Sequence, residues 1–447
     1  MSSSSAGAAP SSPLPASLTL KTSATLRPSC GVPDSALART HRAPIAGNTA
    51  SVVRPTSARS PAVGTRVALK SEWQTRSVRI HAFGGPEALR VDTVALPALQ
   101  MGELLVRVEA AGINPLDFKI RDGHSDLVDV AQLPFALGRD FAGVVEAVNG
   151  EGTGFAVGDA VFGMLGIDRG TYAERVIVKL GEVCVRPRCL DAAQAAAVPV
   201  AALTAWQGLF TQGRLQAGQT VLIHGAAGGV GHFAIQFARA HGAFVIATEQ
   251  STQGIAFARE MGADVVIDMR AEIFEIAVPA ALAERARAGT VAQGESTTPT
   301  ISTSTSASGV DVVFDLIGGE TQHRSWDVLR DGGALISTIS EPCEYEARLR
   351  TVRARHFVAH PSAAQLREIA TLIDNGQVKV VVQETYGFMQ AADALERLQA
   401  GAVLGKLVLT TDDKGRNARD PRSVGKAAER SAKTPRGIAS RAATQTT

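Results

Sequence analysis

The stretch that decides the fold is TVLIHGAAGGVGHFAIQ, residues 220–236. An apolar run, Thr220 to His224, passes straight into Gly225-x-x-Gly228-x-x-Gly231 and then into a segment with helical spacing of apolar residues. Glycine in such a turn takes positive φ without strain and lets a ligand approach the backbone, and Gly228 is expected to use both properties. The N-terminus of the following helix offers unpaired N–H groups to an anion, so strand, turn and helix together form a phosphate site. The next apolar strand, FVIAT (244–248), ends at Glu249, where an acid hydrogen-bonds an adenosine ribose in the dinucleotide pattern. The candidate cofactor-binding residues are therefore Gly225, Gly228, Gly229, Val230, Gly231, Thr248 and Glu249, with Arg270 placed to return toward a 2′-phosphate. A plain tight strand–helix turn is the competing reading, and the following strand with its terminal acid argues against it.

Outward from this turn, apolar strands (DVVID 264–268, DVVFDLIG 311–318, GALIST 333–338) alternate with helical stretches. That grammar belongs to an α/β domain, a parallel sheet covered on both faces. Before residue 192 the chain reads differently. Short strands such as ELLVRVEAAGI (103–113) and FAGVVEAV (141–148) are punctuated by glycine turns, the pattern of a β-rich domain. The expected division is a β-rich domain over 76–199, the parallel-sheet domain over 200–340, and a return to the first domain over 341–411. A Ser/Thr-rich run, 288–309, reads as a surface insertion.

The ends are different in kind. Residues 1–71 hold eight Lys and Arg against one acid, and residues 412–447 hold nine against four. With a net charge of +2 overall, the part between carries −10. So acidic a body repels a phosphate backbone, which excludes nucleic acid as a partner. Both ends lack apolar periodicity and read as disordered. The Ser- and Arg-rich, acid-poor N-terminus has the composition of a mitochondrial or plastid transit peptide; a plain extension or a misassigned start are the alternatives. Four cysteines in 447 residues exclude a disulfide scaffold. The most apolar stretch, Ala192 to Trp206, is short and broken by Gln194 and Pro199, so no membrane span is expected.

The runs VRIHAFGGPEALRV (78–91), AAGINPLDFKIRDG (110–123), LPFALGRDFAGVVEAV (133–148), GTYAERVIV (170–178), AAAVPVAALTAWQGLF (195–210) and AADALERLQAGAVLGKLVL (391–409), with the glycine turn, resemble the quinone oxidoreductase branch of the medium-chain dehydrogenase/reductase superfamily. The resemblance implies a Rossmann doubly wound sheet inserted into a GroES-like domain, NADPH or NADH as cofactor, a homodimer, and a quinone or an α,β-unsaturated carbonyl as small-molecule substrate. It implies Asn114 beside the nicotinamide, Thr204 against the nicotinamide end, and Lys119, Arg121 and Arg139 as polar groups able to face the cleft; Asn114 and Lys119 are the catalytic candidates. Phe118 stands where several members carry Tyr or Trp, and phenylalanine donates no proton. An enoyl reductase of fatty-acid or polyketide assembly and a non-catalytic nicotinamide-binding protein are the alternative readings.

Zinc-dependent members carry Gly-His-Glu where this chain has Gly138-Arg139-Asp140, and the early cysteine position falls in Gly112-Ile113-Asn114-Pro115. A tetrahedral zinc site needs clustered Cys or His ligands, so no metal is expected. Elemental analysis of the purified protein tests this: about one zinc per chain, together with chelator-sensitive activity, would overturn it.

Overall fold

The computed structural model describes residues 73–292 and 309–411. The stretches expected to be disordered (1–71 and 412–447) and most of the Ser/Thr-rich run lie outside the described residues. The chain enters as β1 (Gln74–Ile80), β2 (Leu89–Ala95) and β3 (Glu103–Gly112), then a short helix α1 (Pro115–Arg121). Strands β4 (Phe135–Ala136), β5 (Asp140–Asn149), β6 (Ala160–Met164), β7 (Arg175–Lys179) and β8 (Val183–Val185) follow. Helices α2 (Ala192–Ala196) and α3 (Pro199–Trp206) lead to the second domain. Pro199 breaks the alanine-rich stretch into these two helices by sitting at the first position of α3, where its missing N–H costs nothing. Asp191 starts α2 by accepting from the Gln194 N–H at 2.8 Å.

The parallel domain comprises β9 (Thr220–His224), α4 (Gly231–Ala240), β10 (Phe244–Glu249), α5 (Thr252–Glu260), β11 (Val265–Asp268), α6 (Phe274–Ala292), β12 (Val310–Asp315), α7 (Gly319–Arg324), β13 (Leu329–Ser337), α8 (Glu344–Leu349) and β14 (Arg353–His356). Its six strands run in the order β11-β10-β9-β12-β13-β14, all parallel. The order reverses between β9 and β12, and in open α/β sheets the ligand crevice lies at that reversal, beyond the carboxyl ends of the strands. Both faces are covered. Leu222, Ile246 and Val313 pack with Phe274 and Trp326 on one side, whereas Val221, Ile223 and Phe314 pack with Phe233 and Phe237 on the other. Successive strand residues point to opposite faces, which is why continuous apolar runs such as Val221 to Ile223 suit this sheet.

After α9 (Ala363–Asp374) the chain returns through β15 (Val382–Gly387), α10 (Ala391–Gln399) and β16 (Lys406–Thr410). The last strand pairs antiparallel with β3, extending the larger sheet of the β-rich domain in the order β15-β16-β3-β5-β6-β8. Two boundaries differ from the sequence reading. Because β14 pairs with β13, the parallel domain continues past residue 340. Helix α6 also runs to Ala292, into the stretch read as insertion.

His224 and His232 flank the glycine turn and both are fully buried. Burial holds each imidazole neutral, its pKa depressed from 6.5 to about 4. Unfolding releases that restraint, so the unfolded chain binds more protons below pH 6.5 and stability falls as the pH drops toward 4. Asp117, pushed up to about 6 by burial, opposes the trend over part of that window. Each histidine contributes up to about 3 kcal/mol of this loss. Denaturant titrations between pH 7 and 4.5 should show it, with a shallower slope in His232→Gln than in the parent; identical slopes would refute the assignment.

Candidate functional site

A cleft of about 490 Å³ opens at the reversal of the parallel sheet, within the size range of small-molecule sites. One end is the glycine turn. Gly225 takes φ +71°, and a side chain there would also strike Ile317. A Cβ on Gly231 would lie 2.4 Å from the Gly225 carbonyl oxygen, so only glycine lets α4 start against the turn. Gly228 is different from the expectation: its φ is not positive, and a Cβ there would touch only the Gly225 oxygen, at 3.5 Å. Its use is openness toward the cleft, not backbone conformation. The N–H groups of Gly229 and Val230 make no backbone hydrogen bond among the described residues, and both residues line the cleft. Open glycine backbone, free N–H groups and a helix N-terminus fit a pyrophosphate.

Glu249 also lines the cleft, at the end of β10. Its carboxylate turns back onto the turn and accepts from the Ala227 N–H. Two other cofactor candidates are placed elsewhere. Thr248 is buried, its hydroxyl 2.8 Å from Nδ1 of His224, because alternation along β10 sends it to the opposite side from Glu249. Arg270 pairs with Asp268 at 2.8 Å and lies 3.4 Å from the Thr252 hydroxyl, outside the lining of the cleft.

The other end of the cleft is built on a buried polar network. Asn114 precedes Pro115 and so holds extended backbone, φ −133° and ψ 154°, at the start of α1. Its backbone N–H donates to Asp117 Oδ2 at 2.8 Å, and the Tyr172 hydroxyl donates to the same oxygen at 2.9 Å. Its side-chain Nδ2 donates to Asp140 Oδ2 at 2.9 Å. Asp140 Oδ1 accepts from the Val200 N–H at 2.6 Å, which satisfies a free donor in the first turn of α3. One turn later Thr204 faces the cleft, its hydroxyl donating to the Val200 carbonyl at 2.6 Å. Lys406, at the start of β16, completes the network. Its ammonium donates to the Ile113 carbonyl at 2.7 Å and to Asn114 Oδ1, and lies 3.4 Å from Asp140 Oδ2.

Of the cationic candidates, Lys119 lines the cleft from α1, half-buried and with no side-chain partner among the described residues. Arg139 lines it too, anchored through Nε to the Leu165 carbonyl at 3.1 Å and through Nη1 to that of Ala359 at 3.4 Å. Burial pulls its pKa below the usual arginine value, with Asp140 acting against the shift. Arg121 does not reach the cleft; it is buried against α10, donating to Gln399 at 2.9 Å. Lys406, Asp140 and Asp117 went unnamed as site residues in the sequence reading. The one available signal was a lysine and two aspartates inside apolar runs, where charges are rarely buried unless paired. Among the described residues no group of three or more His, Cys, Asp or Glu side chains is arranged for a metal ion. Here Asp140 already faces an ammonium and an amide, a donor set unlike that of a zinc site.

The alcohol dehydrogenase GroES-like domain family matches residues 100–188, and the zinc-binding dehydrogenase family matches residues 261–409. The quinone oxidoreductase of Mus musculus is 28% identical over 345 residues, covering 75% of this chain and 97% of the mouse protein. The mitochondrial NAD(P)H oxidoreductase RTN4IP1 of Danio rerio is 29% identical over 375 residues, covering 74% and 90%. The solved quinone oxidoreductase of Coxiella burnetii superposes with a TM-score of 0.64 at 28% identity, covering 76% of this chain and all of that one.

If Gly228 is open to receive a phosphate, Gly228→Val should fold normally and lose dinucleotide affinity by at least about tenfold, about 1.4 kcal/mol. Fluorescence titration with reduced dinucleotide checks this; unchanged affinity in a folded variant would refute the phosphate assignment.

Proposed function

We propose, from the premise that this chain belongs to the quinone oxidoreductase-like branch of the medium-chain dehydrogenase/reductase superfamily, that it reduces a quinone or an α,β-unsaturated carbonyl at the expense of NADH or NADPH. When bound, the reduced nicotinamide supplies the hydride. The observation that carries the reading is the division of one cleft into an anion-receiving glycine turn and an end floored by Asn114, with Lys119 and Arg139 beside it. Ile317, Ile339 and Val358 add an apolar wall, each 41–51% exposed and lining the same space. Exposed apolar side chains gathered in a cleft suit a flat, weakly polar acceptor.

The residues supply orientation and charge. Asn114 keeps one Nδ2 hydrogen after its bond to Asp140, and that hydrogen suits an acceptor oxygen on which negative charge develops. Arg139 and Lys119 favour the same developing charge by their proximity to the cleft. A quinone contains the conjugated carbonyl of an enone, so both acceptors present the same oxygen to these donors. Neither Phe118 nor the buried Tyr172, committed to Asp117, provides a proton, and water is the proton source in this reading.

Glu249 bears on the choice of cofactor. A carboxylate about 4 Å from a 2′-phosphate costs roughly 4 kcal/mol at an effective dielectric near 20, which favours NADH. Arg270, already paired with Asp268, offers limited compensation.

Steady-state oxidation of NADH and NADPH with panels of quinones, enones and enoyl thioesters tests the reaction. Turnover with quinones or enones is expected, and activity confined to enoyl thioesters, or none, would overturn the proposal. Glu249→Ser with Thr252→Arg should move the ratio of kcat/KM toward NADPH by about tenfold, about 1.4 kcal/mol. A parent enzyme that already prefers NADPH strongly would refute the role given to Glu249.

A further inference from the structure

Lys406 is 3% exposed, an unusual degree of burial for a lysine. Its stem crosses the glycine turn: a Cβ on Gly229 would lie 2.9 Å from Lys406 Cδ. The preceding residue fastens the same place, the Gly405 N–H donating to the Ala227 carbonyl at 3.0 Å. Its head reaches the far end of the cleft, at the Ile113 carbonyl, Asn114 Oδ1 and Asp140. One side chain thus spans the phosphate turn and the proposed acceptor end.

The chemistry of the partners fixes the Asn114 amide. An ammonium only donates and a carboxylate only accepts. The amide oxygen must therefore face Lys406 and the NH2 group must face Asp140; the flipped amide would set like partners against each other at both ends. We propose that Lys406 is a positioning residue, which locks the Asn114 side chain so that the second Nδ2 hydrogen is held for the acceptor oxygen and ties that donor to the dinucleotide turn. The catalytic part of this inference rests on the hydride-transfer reading above; the orientation part stands without it.

The test uses the full chain and two readouts. In protein labelled with ¹⁵N-asparagine, the Asn114 side-chain amide is identified by its loss in N114A. It should give two proton signals shifted away from free-asparagine positions and slow to exchange with water in the parent, and in K406M these should move toward the free positions and exchange faster. Turnover with whichever acceptor proves active should fall about tenfold or more in K406M. The double variant N114A/K406M should be no slower than N114A, because Lys406 acts through Asn114. Unchanged amide signals in K406M, or losses that add in the double variant, would overturn the proposal. Should K406M fail to fold for want of a partner to Asp140, K406M/D140N leaves no unpaired buried charge, and the same coupling against N114A is expected. Absence of turnover in the parent with every acceptor would instead count against the reaction assigned above, leaving the amide signals to decide the role of Lys406.

Discussion

The site depends on the carboxylate of Asp140, which has no exposed surface and meets three segments far apart in sequence. It takes the Val200 N–H from the start of α3, the Asn114 amide from the start of α1, and faces the Lys406 ammonium from β16. A buried ion pair of this kind adds little to stability on balance, since desolvation offsets most of the attraction. Removing one partner is another matter, because the charge left behind has no solvent to turn to. The network is better understood as a device that specifies geometry. Each donor and acceptor has one place to go, and the cleft inherits that definition.

How much of this the sequence disclosed follows from the range of the interactions involved. The strand, turn and helix from Thr220 to Ala240 were legible because their causes are local: apolar continuity, glycine at the tight positions, and helical spacing. The position of Glu249 was legible for the same reason, as the residue after a recognisable strand. Thr248 was misassigned because which of two neighbouring strand residues faces the cleft depends on where the strand sits in the sheet; here Thr248 points to His224. Arg121 and Arg270 turn to partners outside the cleft lining for different reasons: Gln399 is a tertiary neighbour of Arg121, whereas Asp268 stands two residues before Arg270, a local pairing the sequence displayed. Strand β14 was missed because its sequence, Arg-Ala-Arg-His, has no apolar signature; it is held by pairing with β13 at the sheet edge.

Asn114 was found through resemblance, yet its chemistry became readable only with its partners in place. An isolated Asn-Pro turn predicts extended backbone and a helix start, both observed. It does not predict that one amide hydrogen is already committed to Asp140. The same holds for Tyr172, whose hydroxyl is the most obvious alternative to the missing aromatic proton donor at Phe118. Buried and bonded to Asp117, it lies in the core outside the lining of the cleft.

The pairing of β16 with β3 carries a consequence for biogenesis. Leu409 lies against Ala111, so the larger sheet closes with a strand made some three hundred residues after its neighbour. A nascent chain emerges from the ribosome N-terminus first, and contacts of such long sequence separation form late and slowly. During that interval β7 already covers residues 103–107 of β3, and the end at Ala110–Gly112 waits for its partner, a short open edge. The glycine turn, built from local contacts, can form before Lys406 has been translated. A dinucleotide pocket would then precede, in the life of each molecule, the lysine that ties it to the opposite side of the cleft.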